Sequence, residues 1–95
     1  MLHTVSKSPW EYTFQSMLDL VHSEDDLLFF QDGVLGALKN SLILKKLILK
    51  KVKTWVLKED LEARGLKKKI SPIPILIDYH GFVNLTIKNK QQIAW

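Results

Sequence analysis

Histidine is the residue type in this chain best suited to metal binding or proton transfer, and His3, His22 and His80 lie far apart in the sequence. No His-x-x-x-His pair or matching carboxylate spacing accompanies them, so packing or surface roles are expected and no zinc site is predicted. A Ser-His-Asp set could be assembled from Ser6, His80 and Asp32, but no Gly-x-Ser-x-Gly elbow is present. The sequence also lacks a Gly-x-Gly-x-x-Gly or Walker-type phosphate loop. We therefore predict no catalytic residue, no metal site and no bound cofactor.

The chain contains no cysteine. It therefore cannot form a disulfide, supply a thiolate ligand or nucleophile, or carry persulfide sulfur. Thiol chemistry is the function class that the sequence excludes outright.

Polar residues follow two apolar segments that are suited to form strands. Gln31 and Asp32 follow LLFF, and Asp78 and Tyr79 follow ILI. In an open parallel sheet the carboxyl ends of the strands meet at one edge, where ligands bind, so these four residues are candidates for an interface or binding rim. Asp32 and Asp78 are also suited to cap the helices that follow them. Trp95 at the chain end is expected to pack against the body of the chain or against a partner.

The first half of the sequence predicts a strand, a helix, a second strand and a short helix. The segment MLHTV is extended in character, and Ser8, Pro9 and Glu11 form the capping box of a helix start. The uniformly apolar DLLFF is typical of a strand covered on both faces, and Asp32 would cap a short helix that ends near Leu38. Five apolar residues at helical spacing mark the core-facing side of the first helix: Trp10, Phe14, Met17, Leu18 and Val21.

The second half repeats the alternation of strand and helix. The β-branched and aromatic residues of KVKTWVL predict a strand, and KEDLEARG predicts a helix with an acidic first turn that ends at Gly65. In IPILID, Pro72 and Pro74 favour an edge strand or a strand entry, and Asp78 would cap the last helix. Four apolar residues are spaced as one face of that helix: Tyr79, Phe82, Val83 and Ile87.

Strand–helix units in series predict a single α/β domain over residues 1–95. Parallel strands joined by right-handed helical crossovers give three layers, with helices on both faces of a parallel sheet of four to five strands. The segment LILKKLILKK repeats every five residues, which matches neither the helical nor the strand period. We predict a short helix there, with its lysines spread around it.

The net charge of +4 is unevenly distributed along the 95 residues. Residues 1–38 contain one lysine and six acidic residues, whereas residues 39–69 contain eleven basic and three acidic residues, so their net charges are −5 and +8. Such a basic segment can bind the phosphates of nucleic acid, although a solvated loop is the commoner explanation. No stretch approaches the roughly 18 apolar residues of a membrane span, and no signal peptide is visible, so a cytoplasmic protein without membrane contact is expected.

Five segments, in order and spacing, resemble the TusB/DsrH family: MLHT, SPW, LLFFQDGV, LKEDLEARGL and ILIDYHGFVNLT. The resemblance extends over residues 1–95, with only LILKKLILKK uninformative. It implies a DsrE/DsrF-like fold and a heterohexamer with two copies each of this chain and of TusC-like and TusD-like subunits. In that relay, persulfide sulfur passes from a TusA-like carrier to a cysteine of the TusD-like subunit and on to a TusE-like carrier, ending in 2-thiolation of the wobble uridine of tRNA.

Because this chain has no cysteine, the resemblance implies a non-catalytic subunit rather than an enzyme. Some DsrH relatives carry a cysteine in the first helix region, where this chain has Met17, Leu18 and Leu20. Direct contact with tRNA stays open, and the alternative is a stand-alone small basic RNA-binding protein outside sulfur transfer. The family motif positions carry over as structural or interface residues: Gln31, Asp32, Gly33, Glu59, Asp60, Arg64, Gly65, Asp78, Tyr79 and Phe82.

Overall fold

The computed structural model describes residues 1–8 and 14–95. The strands are β1 (Leu2–Val5), β2 (Asp26–Phe29), β3 (Lys53–Leu57), β4 (Ile75–Ile77) and β5 (Gln92–Ala94). The α-helices are α1 (Phe14–Leu20), α2 (Leu42–Leu49), α3 (Lys58–Ala63) and α4 (Tyr79–Lys88). Two 3₁₀ helices, Gln31–Ala37 and Lys67–Lys69, lie between β2 and α2 and between α3 and β4.

The five strands form one parallel sheet in the order β4-β3-β2-β1-β5. From β1 to β4 the chain moves in one direction across the sheet, and it then returns through α4 to β5 beyond β1. Because crossovers between parallel strands are right-handed, this reversal puts α4 on the face opposite to α1, α2 and α3. The predicted α/β fold with helices on both faces of a parallel sheet is confirmed.

The main core lies between the sheet and helices α1, α2 and α3. Strand residues Val5, Leu27, Phe29 and Val56 point to this side and are fully buried. Helix α1 and the residue that follows it contribute apolar residues at helical spacing, which confirms the predicted core side of the first helix within the described residues: Phe14, Met17, Leu18 and Val21. Trp10 and the predicted helix start at Pro9 and Glu11 lie outside the described residues.

A smaller apolar cluster lies on the other side of the sheet, beneath α4. Leu2 and Leu28 of the sheet pack there with Leu85 of α4, and Phe82 and Trp55 contact the cluster as partly buried residues. Within β2, Leu28 faces this cluster while its neighbours face the main core, so the strand is buried on both sides as predicted.

Two further predictions have clear outcomes. The first eight residues of the repeat LILKKLILKK form α2, with Ser41 as its N-cap, and Ile43, Leu44 and Leu47 bury one side of it. The prediction that Tyr79, Phe82, Val83 and Ile87 form the packed face of the last helix is wrong, because the buried residue of α4 is Leu85. Of the predicted residues only Phe82 packs inward, and three are exposed: Tyr79, Val83 and Ile87.

Candidate functional site at the carboxyl edge of the sheet

The first turn of α3 connects the strand–helix junctions at the carboxyl edge of the sheet. The backbone N–H of Gln31, after β2, donates to Oδ2 of Asp60 at 2.6 Å. The backbone N–H of Tyr79, after β4, donates to Oε2 of Glu59 at 3.2 Å. The two adjacent carboxylates of α3 therefore hold the neighbouring junctions on either side of β3.

The junction after β2 requires glycine at position 33. A Cβ atom on Gly33 would lie 1.9 Å from the carbonyl oxygen of Val5, which is backbone and cannot move aside as a flexible side chain can. The chain reaches this position through Gln31, whose φ of +50° lies in the left-handed region. The segment QDG is thus a tight turn that brings the 3₁₀ helix against the end of β1.

Asp32 does not cap the helix that follows it, so that prediction is wrong. The 3₁₀ helix already begins at Gln31, its N-cap position is Phe30, and no side chain caps it. The Asp32 side chain is 69% exposed, and its Oδ1 accepts hydrogen bonds from Nη2 and Nε of Arg64 at 3.1 and 3.3 Å. An exposed pair of this kind stabilises a protein by less than about 1 kcal/mol.

Asp78 caps α4 as predicted. Its Oδ1 accepts the backbone N–H of Gly81 at 2.9 Å. Gly65 ends α3 as predicted, with a φ of +65° and a backbone N–H that donates to the carbonyl of Glu62. Because α3 also holds the N–H of Tyr79, the start of α4 is positioned by two carboxylates.

One acceptor at this edge has no hydrogen-bond partner within the described residues. It is Oε1 of Glu59, which is buried, while the other oxygen of the same carboxylate accepts from Tyr79.

All four residues predicted from strand ends lie at one edge of the sheet, around α3: Gln31, Asp32, Asp78 and Tyr79.

Trp95 follows the edge strand β5, beside β1, and contacts a buried histidine. Its backbone N–H donates to Thr4 at 2.8 Å, and its indole N–H donates to Nδ1 of His3 at 3.1 Å. The two rings are stacked, with centroids 6.3 Å apart, and Trp95 packs partly against the main core. This contact places Trp95 against the body of the chain, while the residue stays partly exposed.

His3 connects Trp95 to a buried carboxylate. An indole N–H can only donate, so Nδ1 of His3 accepts and Nε2 is the atom that donates to Asp25, at 2.9 Å. Burial opposes ionisation of Asp25, but its pKa is lowered because the His22 N–H, His3 and the N-terminal ammonium donate to it. The sequence did not single out this pairing, because His3 and Asp25 are far apart in the chain.

A second buried carboxylate fastens the end of α4 to the sheet. Asp26 accepts from the Trp55 indole N–H and the Asn89 side-chain amide, each at 3.1 Å, and Lys88 Nζ lies 3.4 Å away. Burial raises the pKa of Asp26, but these donors outweigh it and the pKa is lowered. Both Asp25 and Asp26 therefore act as ionised structural acceptors.

The basic segment, residues 39–69, is spread over several parts of the fold: Arg64 pairs with Asp32 at the carboxyl edge, and Lys53 lies over Trp55 on the α4 side of the sheet. The backbone N–H of Lys39 donates to the carbonyl of Lys69 at 2.9 Å, which brings the start of the segment next to its end. A groove of about 480 Å³ runs beside Lys39 and Lys46 between α1 and α2, and no predicted rim residue lines it.

This geometry supports structural roles for the polar residues. Within residues 1–8 and 14–95, no three histidine or carboxylate side chains are placed to hold a metal ion. In the same ranges, no helix is both long enough and apolar enough to cross a bilayer. The carboxylates at the sheet edge accept backbone N–H groups or pair with Arg64, so they hold the edge together.

Comparison with known proteins gives matches over nearly the whole chain. The family model described as DsrH like protein matches residues 7–92. "Protein TusB" of Buchnera aphidicola subsp. Acyrthosiphon pisum (strain 5A) is 47% identical over 95 residues, covering all of both chains. "Protein TusB" of Yersinia enterocolitica (strain NCTC 13174 / 8081) is 48% identical over the same length.

A solved structure supports the fold. The crystal structure of the ychN protein from E. coli matches with a TM-score of 0.79 and 13% sequence identity, covering 99% of this chain and 97% of that one. At this level of identity the match shows the fold alone. The family model and the full-length relatives together show that this chain belongs to the DsrH family.

Proposed function

We propose that this chain is a non-catalytic subunit of a cytoplasmic sulfur relay complex of the TusBCD type, which serves the 2-thiolation of the wobble uridine of tRNA. The observation that carries the proposal is full-length similarity to proteins named TusB, combined with a complete lack of cysteine. The chain acts as one TusB/DsrH-like domain over residues 1–95.

Persulfide chemistry determines which subunit of the complex can carry the sulfur. A cysteine thiolate attacks the outer sulfur of a persulfide, the S–S bond breaks, and the donor leaves as a thiolate. This chain has no thiol to take part. The sulfur therefore passes from a TusA-like donor through a cysteine of a TusD-like subunit to a TusE-like acceptor, and this chain supports the complex that aligns them.

The carboxyl edge is the part of this chain that we propose as a partner-facing rim. Gln31, Asp32, Asp78 and Tyr79 are exposed there, on junctions held by α3. Rigid junctions lower the entropy lost when a surface binds, which suits an assembly role. Trp95, which is partly exposed, is a second candidate contact at the carboxyl end of the edge strand β5, on the main-core face of the sheet.

Co-expression with TusC-like and TusD-like subunits, followed by native mass spectrometry, tests assembly. We expect a heterohexamer with two copies of each chain. A chain that never enters such a complex would contradict the proposal.

Labelled persulfide sulfur, supplied through a TusA-like donor to the reconstituted complex, tests the non-catalytic role. After separation of the chains, label is expected on the TusD-like subunit and absent from this one. A matched control replaces the cysteine of the TusD-like subunit by serine, which should abolish labelling of the whole complex. Stable label on this chain would overturn the non-catalytic role.

A stand-alone RNA-binding role is the second candidate, favoured by the eleven basic residues of segment 39–69, whose two ends meet where the backbone N–H of Lys39 donates to the carbonyl of Lys69. Clustered lysines bind phosphates with an affinity that falls steeply with salt. Titration of the isolated chain with tRNA at several salt concentrations distinguishes the two roles. Tight, strongly salt-dependent binding without any partner chain would favour the RNA-binding role.

A further inference from the structure

Two hydrogen bonds fix the protonation state of the buried His3 ring. Nδ1 accepts the indole N–H of Trp95 at 3.1 Å, and Nε2 donates to Asp25 at 2.9 Å. An imidazole that accepts at one ring nitrogen and donates at the other is neutral. The indole of Trp95 is therefore docked on the neutral form of His3.

A second proton on His3 is incompatible with the contact to Trp95. It would occupy Nδ1, because Nε2 already carries the hydrogen that is donated to Asp25. Two N–H donors would then face each other across the 3.1 Å between Nδ1 and the indole nitrogen. The hydrogen bond from Nε2 to Asp25 would become an ion pair. Protonation of His3 thus strengthens one of its contacts and breaks the other.

The charged groups near His3 come from β1 and from the turn before β2. Burial opposes ionisation of Asp25, but the hydrogen-bond donors of its carboxylate hold its pKa below the ordinary value. The N-terminal ammonium of Met1 lies 3.4 Å from the oxygen of Asp25 that His3 does not contact. His22 and Glu24 are exposed on the same turn. Strand β5 carries no charged side chain, and the residues that α1, α2 and α3 bury on this face of the sheet are apolar.

Of the two rings, that of Trp95 is the one that can move. His3 is fully buried in β1, which has a strand on either side, whereas Trp95 follows the edge strand β5 and is partly exposed. The backbone N–H of Trp95 donates to Thr4 at 2.8 Å. The main-chain oxygen of Trp95, the terminal residue, accepts from the N–H and hydroxyl of Ser6 at 3.4 and 3.3 Å. A proton on His3 leaves these main-chain contacts in place.

We propose that Trp95 and a proton compete for Nδ1 of His3, so that acidification releases the indole side chain while β5 stays paired with β1. Trp95 packs on its own chain when His3 is neutral and leaves this site when His3 is charged. Imidazole is the side chain whose ordinary titration lies between about pH 5 and 8. This inference goes beyond the proposed function and does not depend on it.

The test follows the full chain by nuclear magnetic resonance between about pH 8 and pH 5. Ring-nitrogen chemical shifts report the protonation of His3, and cross-peaks between the rings of Trp95 and His3 report docking. Backbone amide signals report the pairing of β5 with β1. We expect the ring cross-peaks to disappear in step with uptake of the second proton by His3, while the amide signals of β5 persist.

Trp95→Phe provides the reciprocal measurement, because it keeps a ring and removes the donor. If the indole and the proton exclude each other, each weakens binding of the other by the same factor. His3 should therefore take up its second proton at a pH higher than in wild type by roughly half a unit to one unit, which corresponds to one hydrogen bond.

His22→Gln is the matched control, because it removes an exposed imidazole on the neighbouring turn and keeps the backbone N–H that donates to Asp25. The loss of the Trp95 cross-peaks should occur at the same pH as in wild type. A transition that disappears in this control would show that His22, and not His3, releases the indole.

Three results would overturn the inference. Ring cross-peaks that persist after His3 has gained its second proton would show that the proton and the indole are compatible. A His3 ring that stays neutral until the whole sheet unfolds would show that no such release takes place. Equal protonation of His3 in wild type and Trp95→Phe would show that the indole does not compete. None of these results concerns assembly with other subunits, so the proposed function would stand in each case.

Discussion

Replacing Trp95 by phenylalanine removes one hydrogen bond while leaving an aromatic ring at the end of the chain. His3 is fully buried, and within the described residues the hydrogen-bond donor to its Nδ1 is the indole N–H of Trp95. Phenylalanine has no donor, so Nδ1 would be left as a buried acceptor without a partner. Such an atom costs about 1–3 kcal/mol, and the partly accessible Trp95 site places the expected loss in the lower half of that range.

The loss is measured as the change in the free energy of unfolding, by urea titration and thermal melting followed by circular dichroism. For a domain of this size, a loss of about 1–2 kcal/mol lowers the melting temperature by roughly 5–15 °C. Trp55→Phe is the matched control, because its indole N–H donates to Asp26, which keeps its contacts with Asn89 and Lys88. We expect the control to cost less than Trp95→Phe.

Trp95→Ala separates packing within the chain from contact with a partner. Removal of a buried aromatic side chain typically costs about 3–5 kcal/mol, and a partly buried one less. If Trp95 acts only within the chain, partner binding weakens no more than the loss of folded protein explains. If it also contacts a partner, binding weakens further.

A Trp95→Phe protein as stable as wild type would refute the reasoning about the hydrogen bond to Nδ1 of His3.

Three further predictions concern the turn, the caps and the buried carboxylates. Gly33→Ala should lower the free energy of unfolding by about 3 kcal/mol, because its Cβ would lie 1.9 Å from the carbonyl oxygen of Val5, and a near-neutral urea titration would contradict this. Asp78→Ala should cost about 1 kcal/mol as a lost cap, whereas Asp32→Ala should cost less in the same assay, and equal losses would show that Asp32 has a larger structural role. The pKa of Asp26 is lowered because its donors outweigh burial, so its contribution to stability is present above the ordinary value of 3.8 and is lost as pH falls through the lower folded value. Asp26→Asn should therefore weaken the dependence of the melting temperature on acid pH, and an unchanged dependence would exclude Asp26 as its source.

Local features of the fold could be predicted because their physical causes lie within a few residues of one another. The cap at Asp78 and the helix end at Gly65 each depend on one side chain or one backbone angle. The buried strand β2 could be predicted from four apolar residues in a row, a pattern that suits a strand covered on both faces.

The position of a residue in the sequence predicted which edge of the sheet it lies at, but not which residues it contacts at the candidate site. Strand ends predicted that Gln31, Asp32 and Asp78 would share one edge, and the structure places them there. The sequence did not predict that Asp32 pairs with Arg64. It also did not predict that α3 supplies hydrogen-bond acceptors to the strand–helix junctions on both sides of β3. These contacts join residues 20 to 32 positions apart, which no local pattern specifies.

By itself, the sequence determined that the chain alternates strands with helices and has no thiol for sulfur chemistry, because both follow from residue type and spacing. Only the tertiary structure decided the strand order, the burial of His3 against Asp25 and Trp95, and the exposure of Tyr79, Val83 and Ile87 on α4. The helical spacing of apolar residues predicts that a helix has an apolar side, but it does not predict whether that side packs against the sheet. The return of the chain from β4 to β5 puts α4 on the thinly covered face of the sheet, so its inner side is buried and its equally apolar outer side is not.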